Sequence, residues 1–286
     1  SLLKGYNIFA NSYLAPLNVA AFKETDFEEE NVGDIHRTFY IFNTGSWSSW
    51  NQAATTDNNN HAITTTQSEG QYTAIPVASA RNLDQTTDPT TIAPMQGIYV
   101  YSTAPGAIKL DYETHVWNMA NPGTKAMRAP EKTVSPDLLR RIRIQAYGKN
   151  SGSDRLYILQ DMSCTPDYDN GYDGKNMNAA GQVNIYTNEP CGKMEISSTN
   201  QIDGMYIGFR AGPDTTYTLR FTSLIGDSLC IKDLANDSII PLYEDSTYTF
   251  YAAAKSTNNM RFQVLLHPNP ADDYSNTDDN NGTTTD

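Results

Sequence analysis

Short runs in which apolar and polar residues alternate recur along this chain, and they constrain its fold more than any other feature. In residues 139–146, Ile142, Ile144 and Ala146 alternate with charged or polar residues, so they would line one face of a strand. About ten such runs are separated by turn-rich segments, whereas no long stretch keeps a helical period. The pattern predicts an all-β protein of two antiparallel β-sandwich or jelly-roll modules with minor helix.

Residues 91–101 and 108–110 predict a hairpin at the centre of the first module, from Pro94 to Leu110. Within it, Ile98 and Val100 would share one face of a strand, and Tyr99 and Tyr101 the other. Another short strand is predicted at residues 115–117.

Prolines at positions 122, 130 and 136 predict a linker between two halves of the chain. We therefore expect an N-terminal module at residues 1–134, a C-terminal module at 135–270 and an acidic Thr/Asn/Asp-rich tail at 271–286. The tail has too little apolar area to offset an ordering cost on the order of 1 kcal/mol per residue, so it should be disordered alone. If it is ordered, we expect a neighbouring subunit to hold it as an added strand, which predicts self-assembly through the tail.

The net charge of −13 argues against nucleic acid or an anionic membrane surface as a partner. No apolar run is long enough to cross a bilayer, so no membrane insertion is expected. With 19% charged residues and 18 tyrosines, the composition is typical of an extracellular all-β protein. The chain begins without an initiator Met or a signal peptide, which predicts a processed product or an excised piece.

No catalytic constellation stands out. The four histidines, His36, His61, His115 and His267, are far apart in the chain, and no serine-hydrolase or zinc-protease motif is present. We therefore expect a protein that is not an enzyme. A glycosidase with paired carboxylates stays open as an alternative, since thirty-three acidic residues offer many pairs.

Two groups of residues are candidate ligand sites. An aromatic platform for sugar rings would use Trp47, Trp50, Tyr99 and Tyr101, and the alternative for these rings is packing inside or between sheets. Calcium is the one possible cofactor, because Asp167, Asp169, Asn170 and Asp173 place hard oxygen atoms around a glycine. A turn in which Asp and Asn cap their own backbone explains the same loop.

The sequence leaves two states of the three cysteines open. In an exported chain Cys164 and Cys191 could form a disulfide, with Cys230 as a small buried hydrophobe; three reduced, unrelated thiols are the alternative.

A group of arginines comprises Arg140, Arg141 and Arg143. Its outward-facing members are expected to pair with the acidic excess rather than to bind an anionic ligand.

Five segments in order resemble the β-sandwich region near the C-terminus of many secreted, surface-attached Bacteroidetes proteins, commonly type IX secretion cargo and adhesin-like proteins. They are residues 5–9 (GYNIF), 92–97 (IAPMQG), 139–144 (LRRIRI), 169–173 (DNGYD) and 215–219 (TTYTL). The resemblance implies an exported, cell-surface location and paired β-sandwich modules, but it carries no activity. Such proteins often continue into a separate sorting domain, which this sequence does not show.

Asp-Ser/Thr triplets in the second half resemble the O-glycosylation acceptor pattern of these bacteria; their acceptors would be Thr215, Ser228, Ser238 and Ser246.

The leading hypothesis for function is a non-enzymatic, exported surface module, a structural or adhesive subunit of a bacterial cell-surface protein or assembly. The first alternative is a carbohydrate-binding module, and a weaker one is an accessory region of a larger secreted hydrolase. The expected partners are protein subunits or surface glycans.

Overall fold

The computed structural model describes residues 1–43, 54–56, 62–64, 71–83, 88, 90–116, 136–177 and 181–266. Within these ranges strands dominate, which confirms the all-β prediction. Helical structure in the same ranges consists of 3₁₀ turns at Val19–Ala21, Glu24–Asp26 and Ser79–Arg81 and a single turn of α-helix, α1 (Tyr112–His115). The strand predicted at residues 115–117 is wrong at His115, because the Asp111 side chain caps this turn by accepting from the Thr114 amide at 2.9 Å. Val116 forms an isolated antiparallel bridge with Leu17, and residue 117 lies outside the described residues.

The described strands up to residue 116 are short. They are β1 (Gly5–Ala10), β2 (Leu17–Asn18), β3 (Phe27–Glu29), β4 (Thr38–Asn43), β5 (Ala54–Thr56), β6 (Ala62–Thr64), β7 (Gln71–Pro76), β8 (Thr91–Ile92), β9 (Gly97–Ser102) and β10 (Gly106–Ile108).

Strands β1, β9, β4 and β7 form an antiparallel sheet in that order. Its inner face supplies Ile98, Val100, Phe39 and Ile75 to a buried cluster that we call the first core. Because period-two alternation places every second residue of a strand on one face, the neighbouring tyrosines point to the other side of the sheet.

The predicted hairpin from Pro94 to Leu110 is wrong. Strand β9 pairs with β1 and β4, whereas β10 pairs with β3 in a separate two-stranded sheet. The chain leaves β9 because residues 102–103 bind the loop around Asp34. The Thr103 amide donates to the Asp34 carbonyl at 2.7 Å, and the Ser102 hydroxyl donates to the same carbonyl at 3.1 Å.

The described strands after residue 135 are longer. They are β11 (Leu138–Tyr147), β12 (Ser153–Asp161), β13 (Gly174–Lys175), β14 (Asn184–Glu189), β15 (Gly192–Thr199), β16 (Tyr206–Arg210), β17 (Thr216–Ile225), β18 (Leu229–Asp233), β19 (Ser238–Pro241), β20 (Thr247–Tyr251) and β21 (Thr257–Leu266).

These strands form one large sheet in the order β19-β18-β21-β16-β14-β15-β12-β11-β17-β20, with β13 added beside β15. The sheet is antiparallel except where β12 and β15 run parallel. It curls around a single cluster, the second core, so that Phe250 of β20 packs against Phe209 and Phe262 at centroid distances of 5.0 and 5.1 Å. Distant strands of one sheet therefore meet face to face, as in a sandwich or near-barrel.

The predicted module boundaries at residues 134–135 and 270–271 lie outside the described residues, as does the tail at 271–286. The division into 1–134, 135–270 and 271–286 therefore stays a prediction. Below, the N-terminal part means the described residues up to 116 and the C-terminal part those from 136 to 266.

Candidate functional site

One face of the four-stranded sheet is lined with aromatic side chains that point away from the first core. Tyr6 of β1 lies opposite Tyr101 of β9, and Ile8 lies opposite Tyr99. Phe42 of β4 lies opposite Tyr72 of β7. We call this surface the tyrosine face; its members are Tyr6, Ile8, Phe42, Tyr72, Tyr99 and Tyr101.

The rings of the tyrosine face contact one another edge to face. The ring centroids are 5.0 Å apart for Tyr6 and Tyr101, 5.8 Å for Tyr72 and Tyr99, and 4.9 Å for Phe42 and Tyr72. Such geometry contributes about 0.5–1.5 kcal/mol per pair beyond the burial of area. No residue of β1, β4, β7 or β9 carries a charge, so the face is apolar and hydroxyl-bearing.

His36 borders this face without adding charge. Its ring centroid lies 4.8 Å from that of Tyr101, and its Nδ1 atom is 3.3 Å from the Tyr168 hydroxyl oxygen. Burial, together with the positive charge of Lys175, lowers the pKa of His36 below its usual value. The imidazole is therefore neutral at pH 7.

The C-terminal part of the molecule covers one end of the same side of the sheet. Tyr40, opposite Tyr99, is only 2% exposed, and its hydroxyl accepts a 3.1 Å hydrogen bond from the Lys175 amide. A Cβ atom on Gly174 would lie 2.6 Å from the Cβ of Ala74. Glycine at this position therefore lets β13 lie directly on β7.

Asp173, in the loop before β13, links the C-terminal part to β4. Its carboxylate accepts hydrogen bonds from the amides of Asp169 at 2.7 Å and Ser198 at 2.8 Å. Its backbone carbonyl accepts from the Thr38 hydroxyl at 2.8 Å, which links this loop to β4. Burial raises the pKa of Asp173 to about 7, against the effect of the two amide hydrogen bonds.

Glu195 forms a second link between the two parts. Its Oε2 atom accepts a 3.1 Å hydrogen bond from the Ala74 amide on β7. Burial, and then the nearby Asp154, raises the pKa of Glu195 well above its usual value. Burial also raises the pKa of Asp154 to about 6. Burial therefore makes Glu195, which forms this contact, harder to ionise than a carboxyl group in water.

Arginines of β11 add a third link. The Arg143 guanidinium lies 3.1 Å from the fully buried carboxylate of Asp88, which confirms the predicted pairing with an acid at this position. Arg141 instead donates to the carbonyls of Asn82 at 2.6 Å and Ser223 at 2.9 Å. Arg140 donates to the Gln160 side chain.

The structure describes two of the four residues predicted to form an aromatic platform. Tyr99 and Tyr101 lie together on the tyrosine face, whereas Trp47 and Trp50 lie outside the described residues. Ligand binding by this group stays a prediction. Sequence reasoning missed Tyr6, Ile8, Phe42 and Tyr72, although Ile8 and Phe42 adjoin Phe9 and Ile41, which pack against the first core. That alternation is the signal from which they could have been found.

The loop predicted to bind calcium uses its oxygen atoms for other contacts. Asp169 accepts from the Thr165 amide at 2.6 Å, and the Asn170 side-chain oxygen accepts from the Arg37 amide at 2.8 Å. Among the described residues, no cluster of three or more His, Cys, Asp or Glu could hold a metal ion. Calcium binding by Asp167, Asp169, Asn170 and Asp173 stays a prediction, and the Asn170–Arg37 hydrogen bond joins the two parts of the chain.

The cysteines are unbridged in this structure. Burial is the main cause that raises the pKa of Cys164 to about 12 and that of Cys191 to about 11, so both thiols are weakly nucleophilic. Cys230 is buried, as predicted for a small hydrophobe. The Cys164–Cys191 disulfide stays a prediction for the exported protein.

The predicted glycosylation acceptors lie at turns or strand ends of the large sheet. Thr215 and Ser228 are exposed, and Ser238 and Ser246 are partly exposed. Positive φ angles at Ser228, of 57°, and at Asp237, of 58°, show tight turns at two of these places. Modification of these residues stays a prediction.

The two histidines in the described residues have structural surroundings. His36 borders the tyrosine face, and His115 stacks on Phe22 at a centroid distance of 4.0 Å with its Nε2 atom 3.2 Å from Asp26. His61 and His267 lie outside the described residues. Both described histidines are therefore held between an aromatic ring and a hydrogen-bonding oxygen atom.

Comparison with known proteins gives one relative to report. The chain is 23% identical over 270 residues to the minor fimbrium subunit Mfa5 of Porphyromonas gingivalis, a match that covers 91% of this chain and 20% of the relative. The chain thus spans about a fifth of the relative's length. No family model matches the chain, and no solved structure does.

This match bears on the resemblance read from the sequence. It supports the coarser part of that reading, a Bacteroidetes surface protein. The type IX secretion signal and glycosylation stay predictions. In the described residues, no helix is long and apolar enough to span a bilayer.

Proposed function

We propose that this chain is a non-enzymatic structural or adhesive subunit of a bacterial cell-surface assembly. The observation that carries the proposal is the match to a minor fimbrium subunit, which extends over 91% of the chain. Two features of the fold fit this role. Buried polar links hold the N-terminal and C-terminal parts together, and the tyrosine face offers an uncharged surface for protein contacts.

The comparisons do not support a carbohydrate-binding function. We assign the tyrosine face to protein contacts because the similar protein is a fimbrium subunit. An accessory role in a larger secreted hydrolase has no support from the relative's name. Since the chain spans about a fifth of that relative's length, no activity of the whole relative is carried over to it.

Immunogold labelling of intact cells of the source bacterium tests the proposal. We expect an antibody raised against residues 136–266 to label the cell surface, and the protein to co-sediment with sheared surface polymers. A deletion strain is the matched control. Labelling only after the cells are permeabilised, with no protein in the sheared fraction, would contradict a surface subunit.

The proposal extends to the C-terminal tail and to export. The tail at residues 271–286 joins neighbouring subunits as an added strand, and export follows the type IX route with O-glycosylation at the Asp-Ser/Thr triplets. Deleting residues 271–286 should remove higher-order species in a measurement of mass in solution. A monomeric mass both with and without the tail would contradict this part of the proposal. Intact mass of the exported protein tests glycosylation independently.

A further inference from the structure

The C-terminal part of the chain covers only one end of the tyrosine face. At one end, β13 and the loop before it lie on the sheet and bury Tyr40 to 2% exposure. At the other end, Tyr6 and Ile8 are 59% and 67% exposed. The exposed half is continuous with the end of the same face on which β13 of the same chain packs.

Strand β1 carries this exposed half and lies at the edge of its sheet. Among the described residues, no strand pairs with its outer side. Edge strands of soluble proteins are commonly protected by charged residues, by proline or by a cover. The β1 sequence, Gly-Tyr-Asn-Ile-Phe-Ala, has no charge and no proline, so the edge is suited to contact with a further chain.

Charge limits what can bind there. The chain carries a formal charge of −13, so two copies repel each other across most of their surfaces. The strands of the tyrosine face carry no charge, and His36 beside them is neutral at pH 7. Two copies can therefore meet at this face without bringing like charges of these strands together.

We propose that a second copy of this chain docks on the tyrosine face, with β1 of each copy at the centre of a two-fold contact. In such a contact the same patch serves both partners. Tyr6 and Ile8 of one copy would cover Tyr99 and Tyr101 of the other, and vice versa. This inference rests on the proposed function as a surface subunit and names one of its partners.

Gly97 gives a clean way to test the contact. It lies on the tyrosine face within β9, and a Cβ atom added there would meet no heavy atom within 4 Å. The substitution Gly97→Glu therefore places a negative charge at the end of the face formed by the start of β9, opposite Ala10 of β1, without an internal clash. Ile8→Glu does the same on β1. Ile239→Glu is the matched control, because Ile239 is a 50% exposed isoleucine on β19, the edge strand of the large sheet.

Sedimentation velocity of the full chain over a concentration series is the measurement. We expect the wild type and Ile239→Glu to show a concentration-dependent dimer, and Gly97→Glu and Ile8→Glu to weaken dimerisation by at least about tenfold. Added salt should strengthen the wild-type dimer, because it screens the net repulsion.

A wild-type monomer at every concentration would overturn the inference, as would a dimer that both tyrosine-face variants leave intact. Melting curves of all the variants separate lost docking from lost folding; a variant that fails to fold is replaced by Tyr99→Ser. Surface labelling in cells would still hold in either case, so failure here is distinct from failure of the proposed function.

Discussion

The backbone amide of Ala74 donates a 3.1 Å hydrogen bond to Oε2 of Glu195. Ala74 lies on β7, an edge strand of the four-stranded sheet, and Glu195 lies on β15, inside the large sheet. A buried carboxyl thus satisfies an amide at the sheet edge that would otherwise need water or another strand. The opposite edge of that sheet is β1, where the described residues show no such cover.

Replacing Glu195 by alanine should destabilise the protein by about 2–4 kcal/mol, because it leaves a cavity and removes the acceptor for a buried amide. Glu195→Gln keeps an acceptor and matches the neutral carboxyl that the raised pKa favours, so it should cost less than about 1.5 kcal/mol. Urea unfolding at pH 7 measures both, with exposed Glu28→Ala as the control. Equal losses for the two Glu195 variants would contradict this account.

Stability should fall as the pH rises from about 5 to about 8. The folded-state pKa of Asp173 is raised to about 7 from its usual 3.8. Its stabilising contribution is therefore fully present below pH 3.8 and is lost as the pH rises through about 7. The folded state keeps the extra proton over about two pH units of this window, so at about 1.4 kcal/mol per unit the loss from Asp173 should be roughly 2.5–3 kcal/mol.

Asp173→Asn cannot titrate, so its unfolding free energy should depend less steeply on pH than that of the wild type. Parallel urea titrations of the two proteins at several pH values test this. Two curves of equal slope between about pH 5 and 8 would show that Asp173 is not the titrating group.

The Arg143–Asp88 pair should contribute strongly because it is buried. Arg143→Ala removes the guanidinium from a carboxylate with no exposed side-chain surface and should cost about 3–5 kcal/mol. Tyr157 donates to the same carboxylate oxygen at 3.0 Å, and Tyr157→Phe should cost about 1–2 kcal/mol. The control is Arg220→Ala. Arg220 pairs with Asp245 at the exposed surface, so this substitution should lower the free energy of unfolding by less than about 1 kcal/mol. Similar losses for Arg143→Ala and Arg220→Ala would refute the distinction.

Two glycines should respond oppositely to alanine. Gly174→Ala would place a Cβ atom 2.6 Å from the Cβ of Ala74, so it should cost about 1–3 kcal/mol through overpacking between β13 and β7. Gly97→Ala meets nothing within 4 Å and should leave stability unchanged or raise it by up to about 1 kcal/mol. Thermal melting compares them directly, and equal melting temperatures would contradict the close packing at Gly174.

The fold class could be predicted from the sequence because alternation is local. Ile142, Ile144 and Ala146 are buried as expected, and Tyr99 and Tyr101 share the face opposite Ile98. Strand pairing is not local. Strand β9 pairs with β1 from the far end of the N-terminal part, so a hairpin argument from neighbouring residues fails there.

Much of the candidate site lies beyond local reasoning for the same reason. Asp173 stands in a loop whose composition predicts calcium binding. Its carboxylate accepts a hydrogen bond from the amide of Ser198, which lies on a distant strand. Glu195 sits in an ordinary strand pattern, and only the packing of β7 against β15 gives it a partner. No spacing rule within the sequence shows either contact.

Photo-crosslinking in the source bacterium tests the central claim, that the tyrosine face is a protein contact of a surface subunit. A photoreactive benzoylphenylalanine would replace Tyr99 in one strain and Tyr251 in a control strain, since Tyr251 is a 66% exposed tyrosine on β20. After intact cells are irradiated, we predict an adduct of about twice the chain's 31.7 kDa mass in the sheared surface fraction from position 99 alone. No surface adduct from position 99, or equal adducts from both positions, would contradict the account.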